Sequence, residues 1–153
     1  MKFTDGFWLS KPGYELFNCA QVQDARWDGG AYAVYCSFMP VTHRGMTLTG
    51  PMLTLRFTAP RNGILSVKMT NHEGGSRREP RFALDTDGGT VGVKEAGDTI
   101  TLTSGALSAV ITKEKFSLRF YEGGRELTGL AHRHMGCVKT PEGWYMRAKL
   151  DVD

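Results

Sequence analysis

Residues 102–129, LTSGALSAVITKEKFSLRFYEGGRELTG, contain three short runs that mix β-branched, aromatic and leucine residues with polar ones. Ser104-Gly105, the charged triplet 113–115 and Gly123-Gly124 separate them. Glycine reaches positive φ without steric cost, so each break reads as a tight turn and the stretch predicts a β-meander. Outward from it, strand signals fall at 90–93, 99–103, 106–112, 116–121 and 126–128. Two more, at 135–139 and 144–150, are joined by Thr140-Pro141-Glu142-Gly143. Short strands at this spacing, each followed by a turn signal, predict an all-β sandwich or barrel.

The N-terminal half follows the same grammar. Residues 52–59 alternate, with Leu53, Leu55 and Phe57 on one side and Thr54, Arg56 and Thr58 on the other, the pattern of a half-buried strand. Pro60-Arg61-Asn62-Gly63 then turns the chain, because proline presets φ and Asn-Gly tolerates the left-handed region. Residues 64–70 return as the second arm. Residues 31–38 place Tyr32, Val34, Cys36 and Phe38 on one face and Ala31, Ala33, Tyr35 and Ser37 on the other. Asp28-Gly29-Gly30 links them to a weaker strand at 21–27. Residues 14–23 are the best helical candidate, 71–80 a polar loop and 82–84 a short apolar patch.

Length and composition fit one globular domain of 153 residues, 41% hydrophobic and 23% charged. The net charge of +3 lacks the patch that nucleic acid needs; Arg77, Arg78 and Arg81 cluster, but around Glu79. No apolar run is long enough to span a membrane, and the N-terminus lacks the apolar core of a signal peptide. Cys19, Cys36 and Cys137 are odd in number and widely spaced, which predicts free core thiols in a reducing, cytoplasmic setting.

Catalytic chemistry is hard to find. Asp85 and Asp87 share the spacing of paired carboxyls, yet they precede Gly88-Gly89 and read as turn formers. Asp151 and Asp153 sit where a terminus frays. His132 and His134 flank Arg133 without a third metal ligand nearby and read as exposed loop histidines. No phosphate-binding glycine loop occurs. The sequence therefore predicts no catalytic, cofactor or metal residue, leaving Trp8, Trp27 and Trp144 as candidates for a sugar-stacking platform.

Several segments, taken in order, resemble the N-terminal β-domain of family 31 glycoside hydrolases, the α-xylosidase and α-glucosidase group. They are Met1-Lys-Phe-Thr-Asp-Gly-Phe-Trp-Leu with Lys11-Pro-Gly, Gly50-Pro-Met-Leu-Thr-Leu-Arg-Phe-Thr-Ala-Pro-Arg-Asn-Gly-Ile-Leu, residues 67–80 with His72 and Gly74-Gly75, and residues 102–129. The resemblance implies a galactose-mutarotase-like β-sandwich, here an excised and incomplete portion, set before a catalytic (β/α)₈ barrel absent from these residues. It implies residues 1–153 as a single non-catalytic domain of a retaining α-glycosidase, with that barrel as partner and carbohydrate as substrate of the whole enzyme. No catalytic residue carries over, because no position here matches one. The alternatives are a free-standing carbohydrate-binding module and a β-module that self-associates into a homo-oligomer through an open sheet edge.

Overall fold

The structure, a computed structural model, describes residues 4–5, 9–48, 50–71, 86 and 88–151. The sandwich is built from β4 (Gln21–Asp28), β5 (Ala31–Ser37), β6 (Met52–Thr58) and β7 (Ser66–Thr70) on one side. Facing them are β8 (Gly92–Ala96), β9 (Thr99–Ser104), β10 (Leu107–Thr112), β11 (Ser117–Glu122) and β12 (Arg125–Leu130). Both sheets are antiparallel and ordered as the chain runs, so the meander expected at 102–129 forms three consecutive strands of the five-stranded one, from β10 out to its β12 edge. A third sheet takes β3 (Glu15–Asn18), β13 (Met135–Thr140) and β14 (Gly143–Ala148), with β13 in the middle. Thr4–Asp5 (β1) pairs with Leu9–Ser10 (β2).

The alternation read in the sequence becomes one core. Tyr32, Val34, Cys36, Leu53, Leu55 and Phe57 meet Ile100, Leu102, Ala109, Ile111, Phe116 and Leu118 between the two large sheets. Main-chain bonds stitch the sheets where the turn between β10 and β11 meets the start of β4. The Phe116 amide donates to Ala20 O at 2.9 Å, and the Val22 amide to Lys113 O at 2.9 Å. At another point the buried Ser104 hydroxyl accepts from the Gly63 amide at 3.1 Å, fastening the Asn-Gly turn of the first sheet to the second.

The predicted helix over 14–23 is a correction. Those residues are the strands β3 and β4, with a short link at Cys19 and Ala20. Glu15 pairs with Lys139 and Asn18 with Gly136, partners more than a hundred residues away that no local pattern reveals. Tertiary pairing overrides a weak local helical preference. Gly136 makes that pairing close: a Cβ there would fall on the Phe17 carbonyl.

One irregularity sets the face of a tryptophan. The β4–β5 register shifts between Val22 and Asp24, leaving Gln23 as the extra residue of a bulge. Val22, Ala25 and Trp27 consequently oppose Cys36, Val34 and Tyr32, all on the core side.

Candidate functional site

Two depressions meet at Met52. The first is an apolar groove of about 270 Å³ where β5 ends and the chain loops through the 3₁₀ turn Arg44–Leu48 toward β6. Phe17, Phe38, Val41, Met46 and Met52 supply most of its wall. Its polar groups are spent on one another. The Gln23 amide donates to Gln21 Oε1 and to Ser37 Oγ, each at 2.9 Å. Ser37 Oγ donates to Met39 O at 2.6 Å, and Gln21 Oε1 accepts from the Val41 amide at 3.0 Å. The bulge residue thus pins the loop that roofs the groove, and the groove offers its visitor a mainly apolar surface. Phe38 packs on Phe17 at 5.7 Å between ring centroids and Phe17 on Trp144 at 5.3 Å, continuing the apolar wall outward to a half-exposed indole.

The second depression, about 310 Å³, lies on the outer face of the four-stranded sheet and is polar. Asp28, Tyr35, Thr54, Arg56, Thr70 and Asn71 line it with Met52. Arg56 donates through Nη1 to Asp28 Oδ2 at 2.9 Å and through Nη2 to Asp28 O at 2.5 Å. Tyr35 Oη donates to the same carboxylate oxygen at 3.2 Å. The Arg56 guanidinium, then the Tyr35 hydroxyl, hold the Asp28 carboxyl below the usual carboxylate range, so it is anionic at neutral pH. The Arg26 guanidinium, paired with Asp24, covers one face of Tyr35 at 4.6 Å from the centroid.

The tryptophans do not form one platform among the described residues. Trp27 stands edge-on to Tyr32 at 5.6 Å, while Trp144 packs on Phe17. No ring contact joins the two, and Trp8 lies outside the described residues, as do Asp85, Asp87, Asp153 and the arginine cluster. His132 is exposed, with Nδ1 3.4 Å from Phe116 O. His134 is partly buried, with Nδ1 3.5 Å from Asp151 Oδ1: within ion-pair range but not aligned as a hydrogen bond. Arg133, at φ 68°, turns the chain between them. No group of three metal-ligating side chains occurs among the described residues. Asp151, expected to fray, is instead held: its amide donates to Gly129 O and its carboxylate accepts from Arg119, both at 2.8 Å. The cysteines are free and buried, as expected. Neither groove was visible in the sequence. Each gathers residues from three or more elements.

No family model matches the chain. It is similar to an α-xylosidase of Emericella nidulans, with 29% identity over a 147-residue alignment that covers 90% of this chain and 19% of the relative. It is also similar to the α-xylosidase XylQ of Lactiplantibacillus pentosus, with 24% identity over 129 residues, 84% of this chain and 17% of the relative. The resemblance read from the sequence therefore holds, and it fits an N-terminal domain of a family 31 enzyme. The chain spans less than a fifth of the length of these curated relatives.

Proposed function

We propose that this chain is the N-terminal, non-catalytic β-domain of a retaining α-glycosidase of the α-xylosidase type, with a galactose-mutarotase-like sandwich. Its work is to pack against the catalytic barrel of the same polypeptide, support the substrate entrance and assist assembly. The whole enzyme hydrolyses terminal α-linked xylosides or glucosides in the cytoplasm. The observation that carries this reading is the asymmetry of the matches: 84–90% of this chain against 17–19% of each α-xylosidase. The apolar groove supports it, since a cleft whose polar atoms are mutually bonded suits hydrophobic side chains of a packed domain better than a sugar. The three unpaired buried thiols agree with a reducing compartment.

The test is to isolate the native gene product bearing this sequence, determine its mass and assay it on aryl α-xylosides and aryl α-glucosides. A polypeptide several times larger that releases xylose or glucose with retained configuration is the expected result. A product of about the present size, or a large one inactive on both substrates, overturns the reading.

A further inference from the structure

We propose that β14 is the contact strand of a two-fold dimer, in which a second copy of this chain adds its own β14 antiparallel to the outer edge of the three-stranded sheet. This goes beyond the function proposed above, because it fixes which edge associates and in which register, and it does not depend on the barrel.

A sheet edge invites another strand unless charge, a bulge or a cover blunts it. Among the described residues, the other edges of the three larger sheets are blunted. β4 carries Asp24, Arg26 and the bulge at Gln23; β7 has Lys68 at its middle; β8 has Lys94 and Glu95. β12 opens with Arg125 and Glu126, and β3 is four residues long with Glu15 on it. The centre of β14 has no such guard. Trp144, Tyr145 and Met146 stand there 46%, 38% and 39% exposed, and successive residues occupy both faces of the strand. Its one charge, Arg147, is held by its own chain: Nη1 donates to Asn18 Oδ1 at 3.0 Å and to Arg133 O at 3.1 Å.

The register follows from the backbone. The Lys149 amide donates to His134 O at 2.8 Å, which continues the β13–β14 pairing. Main-chain groups alternate in direction along a strand. Those of Tyr145 and Arg147 therefore also turn toward β13, and those of Trp144, Met146 and Ala148 turn outward. Opposed residues of an antiparallel pair share a face, so a two-fold axis across the seam passes through one residue. With the axis at Tyr145, Trp144 of each copy exchanges both main-chain bonds with Met146 of the other. Their side chains then meet, and thioether on aromatic ring is a favourable contact. Arg147 falls opposite Gly143 of the second copy and meets no like charge. An axis at Met146 would waste Trp144 on Ala148, and one at Arg147 would set two guanidinium groups face to face.

The experiment is sedimentation equilibrium of this chain over rising concentration, with hydrogen exchange read amide by amide. The expected result is a mass that climbs toward twice that of one chain. The Trp144 and Met146 amides should gain protection as it climbs, while those of Tyr145 and Arg147, already bonded to β13, stay unchanged. Tyr145→Lys puts like charges together on the axis and should weaken association at least about tenfold, and Tyr145→Glu should do the same. An equimolar mixture of the two variants should associate again, because opposite charges then meet between unlike copies. Far-UV circular dichroism checks that both variants fold; if either does not, the protection pattern of the unaltered chain decides alone. A chain that stays monomeric at every concentration overturns the proposal and leaves the edge to a strand of the longer polypeptide. Either folded variant associating alone like wild type, or a mixture no better than its parts, would overturn it too. None of these outcomes bears on whether the longer gene product hydrolyses xylosides.

Discussion

Tyr32 of one sheet donates its hydroxyl to Glu95 Oε1 of the other at 2.7 Å, closing the sandwich beside the half-exposed Trp27. Only 2% of Tyr32 is exposed, and burial, then the Glu95 carboxylate, drive its phenol pKa well up. Tyr32→Phe keeps the ring in the core and frees Glu95 to hydrate. We expect a loss of about 1 kcal/mol in urea unfolding, the net worth of one such bond. An unchanged midpoint would show that the two sheets do not rely on it.

Ser104 joins the sheets at another point. It is 2% exposed and is the acceptor for the Gly63 amide. Ser104→Ala leaves that donor without its partner inside the junction and should cost about 1–2 kcal/mol. Hydrogen exchange of the Gly63 amide should accelerate more than that of the central amides of β10, which reads the local effect directly.

Gly136→Ala tests space and not backbone freedom. The added methyl would meet the Phe17 carbonyl and the Asn18 backbone, neither of which can retreat without unpairing β3. Its cost should exceed about 3 kcal/mol, the upper range for overpacking. Thermal unfolding of the variant would check it, with unaltered stability arguing against the β3–β13 pairing.

High pH should unfold the protein through its thiols. Burial first, then the neighbouring Cys19, push the Cys137 thiol from its ordinary 9.0 up to about 11. The folded state therefore holds a proton that the unfolded chain gives up. Stability from this group is complete below pH 9 and falls as pH rises from 9 to 11, by about 3 kcal/mol. Cys19, raised chiefly by its hydrogen bond with Cys36, and Tyr32 act in the same direction. Cys137→Ala should flatten the decline between pH 9 and 11 in a series of denaturant melts.

Met39 is 42% exposed beside the apolar groove. Met39→Asp should change the stability of this chain by no more than about 0.5 kcal/mol, as surface substitutions do. In the longer polypeptide proposed above, the same change should lower the melting temperature and expose the domain to protease. Equal sensitivity in both contexts would deny the groove a docking role.

The parts of the fold that the sequence announced are those in which pairing is local. Leu53, Leu55 and Phe57 alternate along β6, the Asn-Gly turn after it needs φ 80° at Gly63, and β7 follows within a few residues. β3 was hidden because its neighbour is β13, a relation that leaves no period in residues 14–23. Trp27 is a subtler case. Its outward or inward direction hangs on the single extra residue Gln23, and a bulge has no signature in alternation. The grooves were illegible for a related reason. Phe17, Phe38 and Met52 become neighbours only after two sheets and a loop have been assembled.

The three buried sulfurs give the fold a clock of its own. Cys19, Cys36 and Cys137 are each no more than 1% exposed, so a thiol-specific dye in solution finds nothing to react with while the sandwich is shut. Every labelling event then records an opening. Because Cys19 neighbours both Cys36 of β5 and Cys137 of β13, their rates would separate the peeling of the small sheet from the opening of the whole molecule.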